Sequence, residues 1–531
     1  MRNTGGDGLS KYAVCGIILT LRASKEKIMK SKRNLSSSMK SGFIRLLSTA
    51  AVCFFAHGVW AANIYWKQSH GGDLQDDGNW RFKPGGTTWE DCAKPGSSDC
   101  IYINTNNDAP ITLSEDMDAT GGNSVFEASF ELALTNSVGL PKTLSIKRLL
   151  AGGGNKTIRL TAGTLSFSDN FYMGDQSTGF HGDVFFVEGS GTVLSGFNTG
   201  IYVGSKNYSN TLCVTNGGTV EASTLDVGRS EWNENNVSTN NCFRVTGSGS
   251  TARFSNYVRF GSSGLGRIEV LDGGCLTTTN LYVRRNDSYN ITCYGGNSVL
   301  VSGTGSKIIV NGASNKGFWL GKANAPDCSV TVRDGAVWES YGEFKIADGA
   351  TTNAKFRVAS GASVLHHVYS LNVGAGDNAV NATLEIDNAT VASVSDRDIN
   401  VKGEGSHISI SGKDAKLSAG RNFYLYDNTR LNIEIPAGGF SGGAPPVIAG
   451  SKFIWTALSA VSVALAEEWN QSASGTYRIV LAEAGNDINN TGFAVNLPPD
   501  TDMVKVTRDL TNAKQIAVKV KVRSGLKITI R

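Results

Sequence analysis

The sequence predicts an all-β fold, an elongated right-handed parallel β-helix with β-rich caps at its N- and C-terminal ends. Three observations carry this prediction. First, a unit of apolar-x-apolar, a Gly-bearing polar turn and a second apolar-x-apolar recurs along the chain. Taking the second apolar residue of each first strand as a marker gives Leu160, Val187, Val214, Val245, Val270, Val301, Val332, Val358, Ile386 and Ile410, spaced 24 to 31 residues apart. The mean of about 28 lies inside the roughly 20–50 window of solenoid repeats. Second, each short strand alternates with period two, so one face points inward. Third, 531 residues contain 63 Gly and 10 Pro, and only 18% are charged. Gly without a triplet period excludes collagen, and an apolar content of 40% excludes wholesale disorder. No long stretch carries a helical period. A propeller blade needs four strands in roughly 40–45 residues, more than these units hold.

The elements follow in order. Residues 1–61 read as a leader. Lys40 and Arg45 flank an apolar run from Leu46 to Trp60, which ends in Val59-Trp60-Ala61. This is a secretory signal pattern with cleavage expected after Ala61. The run is about 15 residues, short of the ~20 that a spanning helix needs. The position of the run points to translation starting at Met29 or Met39. The leader holds ten Lys/Arg and two acids, so the remainder carries 40 basic and 44 acidic residues. A mildly acidic working chain lacks the basic face that nucleic-acid binding requires. The expected compartment is outside the cell or on its surface, with no membrane anchor of its own once the signal is removed.

Residues 63–150 form the expected N-terminal cap, with Trp66, Trp80 and Trp89. Residues 151–440 form about ten coils, in which Val, Ile, Leu and Phe make a continuous inner ladder. Residues 441–531 form the C-terminal cap, after a Gly/Pro-rich boundary at Gly438–Pro446. Caps are needed because an open coil end exposes unpaired strand edges.

The Asn-Trp segment Gly78-Asn79-Trp80, the Val-x-Gly-Ser-Gly-Thr-Val repeat at Val187–Val193, and the tail with Gly475-Thr476-Tyr477 and Val495-Asn496-Leu497-Pro498-Pro499 resemble bacterial secreted β-helix proteins of the autotransporter-passenger type. The resemblance implies a β-helix over most of residues 63–531. It implies no catalytic motif. The chain departs from that pattern at its end, where about 90 residues follow the repeats and none suggests the membrane barrel of amphipathic strands.

Seven Cys lie beyond the leader, an odd number. Cys92 and Cys100 flank a polar loop and are the best disulfide candidates in an oxidising compartment. Asp73-x-Gln75-x-Asp77-Gly78 imitates half a calcium loop, but the twelfth position is Pro84 instead of Glu. His366 and His367 are adjacent, and neighbours on extended chain point to opposite faces, which argues against a shared metal. Arg397-Asp398 and Lys413-Asp414 read as turn charges. No metal, cofactor or catalytic residue is assigned.

The most informative position is the middle residue of each second strand: Tyr172, Tyr202, Asp226, Arg259, Tyr282, Trp319, Lys345, Asn372, Asn400 and Tyr424. Apolar neighbours make it face outward. The aromatic members, Tyr172, Tyr202, Tyr282, Trp319 and Tyr424, either stiffen the sheet or form a strip for extracellular polysaccharide or cell-surface glycans. The expected function is a secreted or surface structural or adhesive protein. The rival is a polysaccharide lyase or glycoside hydrolase on the same fold.

Overall fold

A computed structural model describes residues 62–523, apart from 84–87, 175–180, 206, 229–237, 262–263, 286–295, 314–315, 323–325, 377, 395, 472–473, 487, 489–493 and 502–503. These residues form a β-solenoid of about 12 turns with almost no helix. Each coil places strands on three faces. The first face is a sheet of 16 strands, from Gly72–Asp73 to Ala494–Asn496. The second and third faces share a sheet of 27 strands. Long strands such as Val193–Val203 bend between the two faces, with the register breaking between Gly196 and Gly200.

The inner ladder has the register that the repeat predicts. Leu160 pairs with Val187, Val187 with Val214, and Val214 with Val245. The column continues through Val270, Val301, Val332 and Val358 to Ile386 and Ile410. All ten markers are buried, at 0–1% exposure. β-Branched side chains suit this site because their stiff χ1 packs well on a pleated surface.

The corners hold the register. Before the first face, Asp183, Asn210, Asn241 and Asn297 lie buried above one another's coils. The Asn241 carboxamide oxygen accepts the Asn210 N–H at 3.0 Å, and the Asn210 oxygen accepts the Asp183 N–H at 3.2 Å. Each Asn thus satisfies a backbone donor that the corner would otherwise strand in the core. After the third face the chain passes through the left-handed region. Gly204 has φ 73°, and a Cβ there would strike the Asn241 side chain.

Stacking is not confined to residues 151–440. Leu160 also pairs with Leu132 and Leu132 with Ile111, while Ile410 pairs with Ile433 and Ile433 with Val463. The expected caps are therefore largely further coils. The ends themselves close with antiparallel pairs: Trp80–Phe82 with Asn63–Trp66 and Glu90–Asp91, and Gln515–Val522 with Gly475–Ala484 and Val504–Asp509. Indoles plug both ends. Trp66 and Trp80 are fully buried, and Trp80 Nε1 donates to the Leu74 carbonyl at 2.9 Å. At the other end buried Trp469 donates from Nε1 to the Ile435 carbonyl at 2.8 Å.

Val270 sits in mid-column, so Val270→Asp places an unpaired carboxylate between Val245 and Val301. The expected cost is several kcal/mol, read as loss of the cooperative melt by circular dichroism. A variant that melts like the parent would show the register to be wrong.

Candidate functional site

The outward column on the third face is the candidate site. Its members follow from period-two alternation: Phe171 and Met173, Ile201 and Val203, and Phe318 and Leu320 are buried in the core, so Tyr172, Tyr202 and Trp319 project outward. The register is continuous. Tyr172 pairs with Tyr202, Tyr202 with Asp226, Asp226 with Arg259, Arg259 with Tyr282, and Tyr282 with Trp319. It continues through Lys345, Asn372 and Asn400 to Tyr424.

The column has three kinds of rung. Tyr172 and Tyr202 stack at 4.8 Å between centroids with an 11° interplanar angle, and both stay partly open to solvent. The Arg148 guanidinium lies 5.7 Å from the Tyr172 ring and pairs with Asp169 at 2.7 Å. In mid-column, Arg259 binds Asp226 through two hydrogen bonds of 2.5 and 2.9 Å. Below the indole of Trp319, Lys345 stands 5.8 Å from the ring and pairs with Glu343 at 3.0 Å. Asn400 Nδ2 donates to Asn372 Oδ1 at 3.0 Å, continuing the column toward Tyr424.

Two of the five aromatic candidates need correction as ligand contacts. Tyr282 and Trp319 stack at 4.8 Å, but are only 6% and 4% exposed. They point away from the core and are nevertheless covered. Tyr257, 6.4 Å from Tyr282, and Lys345 are among the side chains packed around them. Little of either ring is left for a ligand. Tyr172, Tyr202 and Tyr424 keep partial access.

The disulfide candidates also need correction. Cys92 and Cys100 are free thiols. The Cys92 N–H bonds to the Trp80 carbonyl, whereas Cys100 pairs with Asn63. Two strands, Trp80–Phe82 and Asn63–Trp66, therefore separate them. Three strand spacings are about 14 Å, far beyond the roughly 4.4–6.8 Å between Cα atoms that a disulfide spans.

The sequence reading missed the N-terminal end of the same column. Tyr65 pairs with Tyr102, and the rings stack at 4.7 Å. Trp89 meets Tyr65 edge-on at 4.9 Å and is 43% exposed. The signal was present: Ile64-Tyr65-Trp66 and Ile101-Tyr102-Ile103 repeat the apolar-aromatic-apolar unit.

The other constellations resolve into structure. Asp73 Oδ1 accepts the N–H groups of Gln75 and Ser114 at 2.9 and 3.1 Å, and Asp76 Oδ1 accepts that of Gly78 at 2.8 Å. These carboxylates build a turn. Asp398 accepts two hydrogen bonds from Arg421, at 2.9 and 2.6 Å. Burial works to raise its pKa, but Arg421 and the Asn422 N–H outweigh burial and hold it below the usual carboxylate range. On the first face, Arg357, Glu385, Asp387, Asn432 and Glu434 line a shallow groove together with Ile410, Ile433 and Val463. Its Glu385 and Asp387 are held by Lys355 at 2.5 Å and Arg357 at 3.3 Å. Fixed ion pairs of this kind are not a poised acid and base.

No family model matches the chain, and no curated protein matches it. The arrangement of residues is therefore what speaks for function.

His366 and His367 point to opposite faces. His367 stacks on Tyr341 outside, at 4.3 Å and 4°. His366 lies inside, fully buried, between Ser340 and Ser393 of the neighbouring coils. Burial, then the charges of His367 and Arg397, push its pKa down to about 4, against opposing contacts from the Tyr369 and Ser340 backbone.

Two predictions follow from these placements. Trp319→Ala should lower stability by about 3–5 kcal/mol, seen as an earlier melt, without changing ligand retention. For His366 the folded pKa lies below the unfolded value of about 6.5, so stability falls as pH drops through that value and levels off near 4. The loss is on the order of 3 kcal/mol. His366→Phe should remove this component from the difference between melts at neutral pH and at pH near 4.

Proposed function

We propose that the chain is a secreted or cell-surface β-helix protein with a structural and adhesive role, and that its outward column engages extracellular polysaccharide or cell-surface glycans. The leader pattern from Lys40 to Ala61 supports export. The observation that carries the adhesive reading is the partly exposed Tyr172–Tyr202 stack. A solenoid repeats one outward position every coil, so it can align ligand contacts with a linear polymer. The stacked phenols turn their faces toward each other, so contact falls to ring edges and hydroxyls, with Arg148 and Asp169 alongside. In the groove of the first face Glu385 and Asp387 are held in ion pairs, which speaks against the lyase or hydrolase reading.

The test has two arms. A double variant, Tyr172→Phe with Tyr202→Phe, keeps the stack and removes the hydroxyls. On a glycan array it should bind roughly threefold to tenfold more weakly, the value of lost hydrogen bonds, with the cooperative melt retained and only slightly earlier, since the Tyr172 hydroxyl also accepts from Asn170 Nδ2 at 3.2 Å. Unchanged binding would leave the column a purely mechanical feature. In the second arm, N-terminal sequencing of exported protein should begin at Ala62; an uncleaved chain would remove the signal-peptide reading.

A further inference from the structure

We infer that the N-terminal corner of the solenoid, formed by Tyr65, Trp89, Tyr102, Arg81 and Lys83, is a docking platform for an anionic polysaccharide. The inference rests on the glycan-engaging reading above, and places a separate contact at the N-terminal end of the column, where Trp89 and two cations join it.

The geometry comes first. Tyr65 and Tyr102 stack at 4.7 Å and 29°, so they present edges to solvent as Tyr172 and Tyr202 do. Trp89 stands at 78° to Tyr65. The indole is therefore not engaged in the axial stack. The Arg81 guanidinium sits 4.2 Å from the centre of that indole, on one side of it. Even so, Trp89 is 43% exposed, in contrast to the 6% and 4% of Tyr282 and Trp319. A half-exposed indole flanked by hydroxyl-bearing rings suits a pyranose, whose C–H groups form an apolar surface with polar rims.

The charges then select the sugar. Arg81 stands directly opposite Asp91 in the strand pair, yet Asp91 bonds Lys67 at 3.0 Å. Arg81 has no carboxylate partner among the described residues, and its Nε is buried without an acceptor. Lys83 lies 5.6 Å from the same indole, exposed and likewise without a carboxylate among the described residues. Glu90 pairs with Phe82 and so projects from the opposite side of the strands. Two uncompensated cations beside one open ring complement a sugar that carries a carboxylate or a sulfate. A guanidinium preorganised under an indole loses little freedom when it binds such a group.

The experiment uses the full chain in affinity electrophoresis and tryptophan fluorescence, with polygalacturonate, dextran sulfate and neutral dextran as probes. Retention should occur on an anionic probe and fade as salt rises, since exposed charges are screened. Preference for polygalacturonate assigns a uronate, and preference for dextran sulfate assigns a sulfate. Trp89→Ala and Arg81→Gln should each weaken retention at least about tenfold, whereas Trp89→Phe keeps a ring face and retains most of it. Lys83→Gln, at an exposed position, should reduce the salt dependence with no change in melting. Equal retention on neutral dextran would overturn the anionic assignment. Unchanged retention of Trp89→Ala would overturn the platform, and if the Tyr172/Tyr202 double variant lost binding at the same time, the column reading would stand alone. Absence of retention on every probe and on the glycan array would overturn both.

Discussion

Each coil of this protein completes its backbone hydrogen bonds on the next coil, and that constraint governs the rest of the structure. A parallel coil has unpaired edges on both sides until a neighbour arrives with the same register. Register therefore has to be held at the corners, where the chain turns between faces. Buried Asn210 and Asn241 do this by accepting the N–H of the coil before. Ser250 and Ser306 do it at another corner, accepting the N–H of Gly217 and Gly273 at 3.0 Å. Where the stack must stop, the parallel rule is broken deliberately. Antiparallel pairs at both ends turn the last edge into a charged or twisted one, as with Glu90 and Asp91, both exposed.

The same constraint explains what was legible in the sequence. An inner position repeated every coil has to stay apolar, so ten markers from Leu160 to Ile410 could be read off and all of them pair in register. The outward column was legible for the same reason, since alternation fixes which way a middle residue points. What alternation leaves open is what lies over that residue. Tyr282 and Tyr172 share a sequence pattern, yet one is 6% exposed and the other is partly open. Side chains such as Tyr257 pack laterally against Tyr282, and their reach follows from the fold. Cys92 and Cys100 fail for a related reason. They are close in sequence, but the hairpin at the N-terminal end places two strands between them. The segment 63–150 hid its coils behind irregular spacing, so its aromatic middle residues went unread.

Interior and exterior columns also treat polar groups differently. Outside, like-positioned charges alternate in sign along the axis and neutralise each other, as Arg244 with Glu269 at 2.6 Å and Arg259 with Asp226 at 2.5 Å. Partly exposed pairs such as Arg244–Glu269 add modest stability and suppress wrong registers. Inside, His366 has no such partner among the described residues. His366 is kept neutral by its surroundings, at the cost of a depressed pKa. One residue, His367, separates that group from the outer surface, and the alternation of a strand is enough to give the two imidazoles unrelated chemistry.

The pitch of the coil decides how aromatic side chains can be used. Strands in a sheet lie about 4.8 Å apart, and that spacing also suits offset stacking of rings. Aromatic residues on successive rungs therefore stack on each other, as Tyr172 with Tyr202 and Tyr282 with Trp319 do at 4.8 Å. A ring engaged this way contributes stiffness and gives up its faces. A ring escapes this engagement when its residue lies outside the column and its side chain leaves the axial direction. Trp89 is such a residue: it enters from the segment before the edge strand Glu90–Asp91 and stands at 78° to the stack it touches. The solenoid thus builds rigidity from its repeats, and leaves a half-exposed indole where the repeat ends.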